Sequence, residues 1–403
     1  MRILQVDNLN RLTQIMRDIH VDPYGIKIMR LKGIMHLIKL NSIPNIAANI
    51  LKQEMLSLGG DVAVSRDSLI GKNKKTDCLV MGNLSQINRL NHKLNRQPFG
   101  LSRLGLDISQ AIENYQKDNL TLELGRYRLN LKRRTHIMGI INLTPDSFSG
   151  DGLCPSSVVH RPSSIEKIIE FVEKMINDGA DIIDVGGESS RPGASTVSLK
   201  EELARTIPVI KQLVKRIKVP ISIDTYKPEV AKAALDNGAV MVNDISGLRN
   251  PAMVKLVARE KSGIVIMHSK GSPKNMQNNP KYKSVIDEII KYLGNAIIRA
   301  RDAGINREKI IIDPGIGFAK NIEHNGQILK NLKEFKVLGQ PILIGASRKS
   351  FIGSILNAGV NDRLAGTIST CILAAKNGAN FLRVHDVGMV KQAIKVFDTV
   401  NNA

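Results

Sequence analysis

The sequence predicts an α/β protein in which a (β/α)8 TIM barrel follows a small α/β domain. Three observations carry this expectation. From residue 136 onward, short apolar runs rich in Ile and Val alternate with helix-period segments, and near-continuous apolar runs suit parallel strands buried on both faces. Eight such units fit into residues 136–403 of a 403-residue chain, the size and count of a closed barrel. Each run also ends in polar or ionisable residues, as barrel strands do where a site is built. No Gly-x-Gly-x-x-Gly follows the first run, which makes an open dinucleotide-binding sheet the weaker alternative.

The elements follow in chain order. Residues 1–130 read as a small basic α/β domain. Its expected strands are Arg2–Val6, His36–Leu40, Asp61–Ser65 and Cys78–Met81. Its expected helices are Pro44–Leu58, with Pro at its start, Leu84–Leu94 and Ile108–Tyr115. Leu120–Arg134 leads into the barrel domain, residues 131–403. The barrel strands are expected within His136–Asn142, Ala180–Gly187, Pro220–Thr225, Val240–Ser246, Gly263–Ser269, Lys309–Gly315, Pro341–Ser347 and Phe381–Asp386. Helix-period segments between them include Ser164–Asp178, Lys200–Arg216, Pro228–Asn237 and Lys283–Ala303.

Composition excludes several classes. No apolar run approaches the ~20 residues that span a bilayer, and the first thirty residues lack a signal-peptide core. Three scattered cysteines, Cys78, Cys154 and Cys371, make neither a disulfide framework nor a cysteine-based zinc site, so a reducing cytoplasm is expected. The net charge is +21. Residues 1–135 hold 22 Lys and Arg against 11 Asp and Glu, and residues 136–403 hold 36 against 26. The basic clusters lack interleaved aromatic residues on which bases would stack, so a solvated basic surface is expected rather than nucleic-acid binding.

The strand ends narrow the chemistry. Asp224, Asn243, Asp313 and Lys349 offer acceptors and donors on the barrel axis, suited to the edge of a planar amino-substituted heterocycle. Arg383 and His385 share one face of the last strand ahead of a helix, a setting for phosphate or diphosphate. Asn142 can give one neutral oxygen to Mg²⁺, which takes substrate phosphate oxygens for the rest. Two loops, Thr144–Pro162 and Glu188–Ser198, are long enough to cover the mouth. Asp244 and Asp386 read as helix N-caps, and His268 as a satisfied mouth histidine. Asp184 reads either as structural or as part of the site, and Glu188 as a loop anchor. No covalent nucleophile is indicated, because the candidate serines lie beside Arg rather than a base.

These segments resemble dihydropteroate synthase over essentially all of residues 136–403. The resemblance is carried by the stretch from Met138 to Ser149 (MGIINLTPDSFS), Asp184 to Gly193 (DVGGESSRPG), Ile223-Asp-Thr225, Val242-Asn-Asp-Ile245, Asp313 to Phe318 (DPGIGF), Ser347-Arg-Lys-Ser350 and Arg383-Val-His-Asp386. It implies condensation of 6-hydroxymethyl-7,8-dihydropterin diphosphate with 4-aminobenzoate to give 7,8-dihydropteroate and diphosphate, assisted by Mg²⁺. By position, Asp224, Asn243, Asp313 and Lys349 look like the family's pterin pocket. Asn142 looks like its Mg²⁺ or diphosphate contact, and Arg383 with His385 like its diphosphate clamp. Ser190, Arg191, Phe318 and Ser350 correspond to the aminobenzoate side. Asp224, Lys349, Arg383 and His385 are the expected catalytic residues. Arg383→Ala is accordingly expected to lower turnover far more than stability.

Ser190 stands where Thr is common, and Ala319 where Gly is frequent. The family also implies a homodimer, for which the helices over Arg363–Lys376 and Gly388–Val400 are candidates. Two rivals are a methyltetrahydrofolate:corrinoid methyltransferase-like pterin protein and an additional nucleic-acid- or partner-binding role of residues 1–135. The first would share the pterin-reading Asp and Asn but needs no diphosphate clamp.

Overall fold

The computed structural model describes residues 1–6, 8–69, 74–118, 120–132, 134–144, 162–189, 196–271 and 280–401. It divides into two compact units, residues 1–116 and 117–403.

In the first unit, strands β1 (Met35–Pro44), β2 (Asp61–Val64) and β3 (Lys75–Asn83) form an antiparallel sheet in the order β1-β3-β2. Helices Asn45–Leu56, Leu84–Leu94 and Leu101–Gln116 contribute to its core, with Leu51, Met55, Val80, Ile87, Leu90 and Ile108 buried together. Helix Leu84–Leu94 starts where a capping box forms: the Asn83 side chain accepts from Gln86 N–H while the Gln86 side chain accepts from Asn83 N–H. Its apolar positions 84, 87, 90 and 94 then share one buried stripe. Arg2–Val6 is not a strand. Residues 1–5 are exposed, pair with neither sheet edge, and so gain no apolar burial that would fix them in extended form.

The second unit opens with a hairpin, β4 (Thr121–Leu124) and β5 (Tyr127–Asn130). Eight parallel strands follow: β6 (His136–Asn142), β7 (Ile182–Gly186), β8 (Ile221–Asp224), β9 (Met241–Asp244), β10 (Gly263–Met267), β11 (Ile310–Asp313), β12 (Leu343–Ile344) and β13 (Phe381–Val384). They pair in sequence, β13 returns to β6, and a bridge between Ile312 and Ile342 closes the ring between β11 and β12. This is the expected TIM barrel. Two of its helices, Pro228–Asp236 and Pro251–Arg259, begin with Pro in the first turn, where no backbone donor is lost.

The hairpin closes the foot of the barrel. Leu122, Leu124 and Leu131 pack with Met138, Ile182, Met241, Val265, Ile311, Leu343 and Phe381, which come from seven of the eight strands. Gly263 leaves room for this: a Cβ there would lie 2.2 Å from Leu124 Cδ2. At the opposite end, register sets the level of the polar residues. Asn142 is partnered with Gly186, Gly186 with Asp224, and Asp224 with Asn243. Four adjacent strands therefore deliver three polar side chains and one gap to a single tier.

Candidate active site

An arginine bridged by two acids lies at the centre of the mouth. Arg383 Nε donates to Asp184 Oδ2 and its Nη2 to Asp224 Oδ2, both at 2.6 Å. Asn243 Nδ2 donates to the same Asp184 oxygen at 3.0 Å. Asp184 is fully buried and Asp224 nearly so. Burial pushes the Asp224 carboxyl up to about 7, outweighing the pull of Arg383. The field of Lys349 also reaches Asp224, and those of Lys349 and Arg383 reach Asp313, so these groups form one electrostatic cluster. Gly186 keeps the tier open, since a Cβ there would lie 3.5 Å from both Asn142 Oδ1 and Asp224 Cβ.

The loop after β11 makes a second wall. Asp313 Oδ1 accepts from Gly315 N–H at 2.7 Å. Burial raises the Asp313 carboxyl to about 6, against the Gly315 N–H and Lys349. Gly315 has φ +75°, and a Cβ there would lie 2.0 Å from the His268 carbonyl oxygen, so the turn requires glycine. The Lys349 ammonium sits 4.1 Å from the centre of the Phe318 ring. Ser350 is exposed at the start of helix Ser350–Leu356.

On a third side, His385 Nε2 lies 3.4 Å from Asn142 Nδ2, and its Nδ1 lies 3.0 Å from Ser347 Oγ. The structure thus brings together Asn142, Asp224, Asn243, Asp313, Phe318, Lys349, Arg383 and His385. Ser190 and Arg191 lie outside the described residues, as do the interiors of both covering loops and Cys154.

Neighbouring polar groups hold this frame. Asp386 accepts two bonds from the Arg348 guanidinium, at 3.0 and 2.6 Å, rather than acting only as a helix start. Asp244 accepts from the N–H groups of Ser246 and Leu248 and so clamps its own loop. Lys227 Nζ reaches Glu188, Glu202 and the Val197 carbonyl at 2.5, 2.5 and 2.7 Å, and Tyr226 donates to Glu188. Glu188 is therefore an anchor, and Lys227 ties positions 188 and 197 to the helix that carries Glu202. A shallow cleft open to solvent is lined by Asp224, Thr225 and Ser189 together with Glu188, Glu202 and Tyr226 of this cluster.

Sequence reasoning left Asp184 undecided and passed over Lys227 and Lys320. Lys320 is a buried lysine whose Nζ lies 3.1 Å from His268 Nδ1 and donates to the Phe318 carbonyl at 2.8 Å. Its one sequence signal was a lysine directly after the glycine-rich turn. Burial and the nearby Lys320 and Arg249 cations push the His268 imidazole down to about 2, so it is neutral.

A closed parallel barrel with acids, an amide and cations gathered at its C-terminal mouth defines a small-molecule enzyme site. The family model described as pterin binding enzyme matches residues 138–385, and the chain is a pterin-binding enzyme of that class. Dihydropteroate synthase of Escherichia coli K12 is 44% identical over 268 residues, covering 66% of this chain and 92% of that protein. The structure of Xanthomonas albilineans dihydropteroate synthase with 4-aminobenzoic acid superposes with a TM-score of 0.64 at 39% identity, covering 71% of this chain and 99% of that one. The chain belongs to the dihydropteroate synthases, enzymes of folate biosynthesis. A probable bifunctional folylpolyglutamate synthase/dihydropteroate synthase of Halobacterium salinarum is 36% identical over 97% of this chain and 46% of that protein. That match extends into the first unit.

Proposed function

We propose that this chain joins 6-hydroxymethyl-7,8-dihydropterin diphosphate to 4-aminobenzoate, releasing 7,8-dihydropteroate and diphosphate. The observation that carries the reading is the Asp184–Arg383–Asp224 bridge, set between an acid-and-amide wall and His385. Asp224, Asn243, Asp313 and Lys349 read the pterin ring: the carboxylates accept from its amino and ring N–H groups, and Lys349 donates to its carbonyl. Arg383 and His385 hold the diphosphate, with Asn142 beside them. Phe318, Ser350, Ser190 and Arg191 receive the aminobenzoate. The bound 4-aminobenzoic acid of the Xanthomonas relative supports that second substrate.

In the reaction, the methylene C–O bond breaks and its electron pair leaves on the diphosphate. The amine lone pair forms the C–N bond, and the amine then loses one proton to solvent. Arg383 and His385 stabilise the growing charge on the departing oxygens, and Asp224 stabilises positive charge on the pterin. The arylamine needs orientation more than deprotonation.

Mg²⁺ fits this donor set in a limited way. Among the described residues no three His, Cys, Asp or Glu side chains form a metal cage, but Mg²⁺ bound through substrate phosphates needs few protein ligands. Asn142 turns its nitrogen to His385, and Gly186 keeps space beside its oxygen, so Asn142 would hold the ion. Mg²⁺ would supply charge neutralisation to the diphosphate. We further propose a homodimer through helices Leu364–Lys376 and Val387–Asn401, where Leu373, Met389, Val396 and Val400 stand exposed, and a cytoplasmic location.

The test is incubation with both substrates. Stoichiometric diphosphate and dihydropteroate are expected, and no diphosphate release would sink the reading. kcat/KM for the pterin substrate is expected to fall as pH drops through about 7 and then about 6, because Asp224 and Asp313 protonate and cease to accept from the ring. In Asp224→Asn the acid limb should move down to about 6, where Asp313 titrates alone. A flat acid limb in the wild-type chain would remove both carboxylates from the pterin pocket. Folding responds with the opposite sign. A carboxyl whose native value is raised keeps its proton longer in the folded chain, so these two groups cost stability as pH rises from about 4 to about 7.

A further inference from the structure

Lys320 has no role in the scheme above, and its placement is costly. It is 3% exposed, and a buried ammonium is tolerated only where polar partners replace water. Its partners are the turn that carries Phe318 and the histidine that directly follows β10. Nζ donates to the Phe318 carbonyl at 2.8 Å and lies 3.1 Å from the neutral His268 Nδ1. His268 is in turn fixed by its backbone N–H on the Asp313 carbonyl at 2.8 Å and by an edge-on contact with Tyr292. One residue along, the Tyr282 hydroxyl donates to the Ala319 carbonyl at 3.0 Å. Consecutive carbonyls of the turn are thus gripped by two side-chain donors, at a point where Ala319 has φ +53°. The Phe318 ring that this turn aims lies against Lys349.

We propose that Lys320 is a positioning residue for 4-aminobenzoate: its bonds to the Phe318 carbonyl and to His268 fix the Phe318 ring against which the arylamine is oriented. This inference rests on the reaction assigned above. The pterin side is organised separately, by the Asp184–Arg383–Asp224 bridge and Asn243. Lys320 reaches that side through its fields on Asp313 and Lys349 and, at one remove, through His268, whose N–H donates to the Asp313 carbonyl. Burial pushes the Lys320 ammonium down to about 7, against the pull of Asp313 and with the help of Lys349.

The test is steady-state kinetics of the full-length Lys320→Met protein at about pH 8, where Asp313 is ionised and the Lys320 amine is already largely neutral, so the substitution removes hydrogen bonds rather than a charge. KM for 4-aminobenzoate is expected to rise about tenfold, with KM for the dihydropterin diphosphate within about threefold of the wild type. Equal rises in both KM values, or no rise in either, would overturn the proposal. If Lys320→Met does not fold, Tyr282→Phe decides. It removes the other grip without a charge change and should give the same split at smaller size, whereas an even loss would overturn the proposal. A wild-type chain that fails to join the two substrates defeats the parent reading and this inference with it. A wild-type chain that works, with no split in the variants, defeats the inference alone.

Discussion

An Arg383→Ala enzyme is expected to lose about two to three orders of magnitude in kcat/KM. The guanidinium is the cation placed to take up charge as diphosphate departs, and removing one preorganised donor to a developing oxyanion has effects of that size. The structure adds a second consequence that the sequence did not suggest. Arg383 joins Asp184 and Asp224, and its side chain is only 16% exposed. Alanine would leave two acids facing one another in a buried site, which costs about 3–5 kcal/mol when one partner of such a pair is deleted. The expectation that turnover falls far more than stability is therefore corrected: both should fall, and thermal melting alongside product assays checks it. Arg383→Lys should recover part of the stability and less of the rate, because a single ammonium nitrogen lacks the planar fork whose Nε and Nη2 reach Asp184 and Asp224 separately. Full activity in Arg383→Ala would exclude the proposed clamp.

Replacing Asp184 should be nearly as severe, although Asp184 is assigned no substrate contact. Its Oδ2 accepts from both Arg383 and Asn243, so one oxygen sets the diphosphate cation and the pterin amide together. Asp184→Ala frees both and leaves the arginine short of a counter-ion, an expected loss of about 3–5 kcal/mol. Asp184→Asn keeps an acceptor of the same shape but removes the charge. Its kcat/KM should drop about tenfold to a hundredfold, the usual scale for a group that orients another. Binding of the pterin substrate alone, by calorimetry, separates the two outcomes. An Asp184→Asn protein with native pterin affinity and native rate would show that the bridge is dispensable.

Much of this was legible in the chain. The barrel strands could be found because each is buried on both faces, so β10 is an unbroken apolar run and β6 and β7 are interrupted only by His136, Asn142 and Asp184. Their polar ends could be found because an acid at the end of such a run has no apolar reason to be there. Asp224, Asn243, Asp313, Lys349, Arg383 and His385 do converge on one mouth. Asp184 stayed undecided because its partners are 199 and 59 residues away, a coincidence that register creates and local pattern does not record. Lys320 was overlooked for a related reason: a lysine reads as solvent-facing unless the fold closes over it. Arg2–Val6 was misread because strand propensity says nothing about whether a sheet edge is there to receive it.

The hairpin at the foot of the barrel bears on where the catalytic unit begins. Leu122 and Leu124 act as a floor, and the vessel they seal has its working mouth at the other end. A shortened chain starting at Leu131, which the sequence boundary invites, would keep every residue of the proposed chemistry and lose that floor. Water would then reach the undersides of Met138, Ile182, Met241, Val265, Ile311, Leu343 and Phe381, and the strands that hold Asp184 and Arg383 in register would lose their shared footing. The compact unit that holds the barrel begins at Lys117, and a chain cut there, with the two short strands of the hairpin kept, is expected to melt higher than one cut at Leu131.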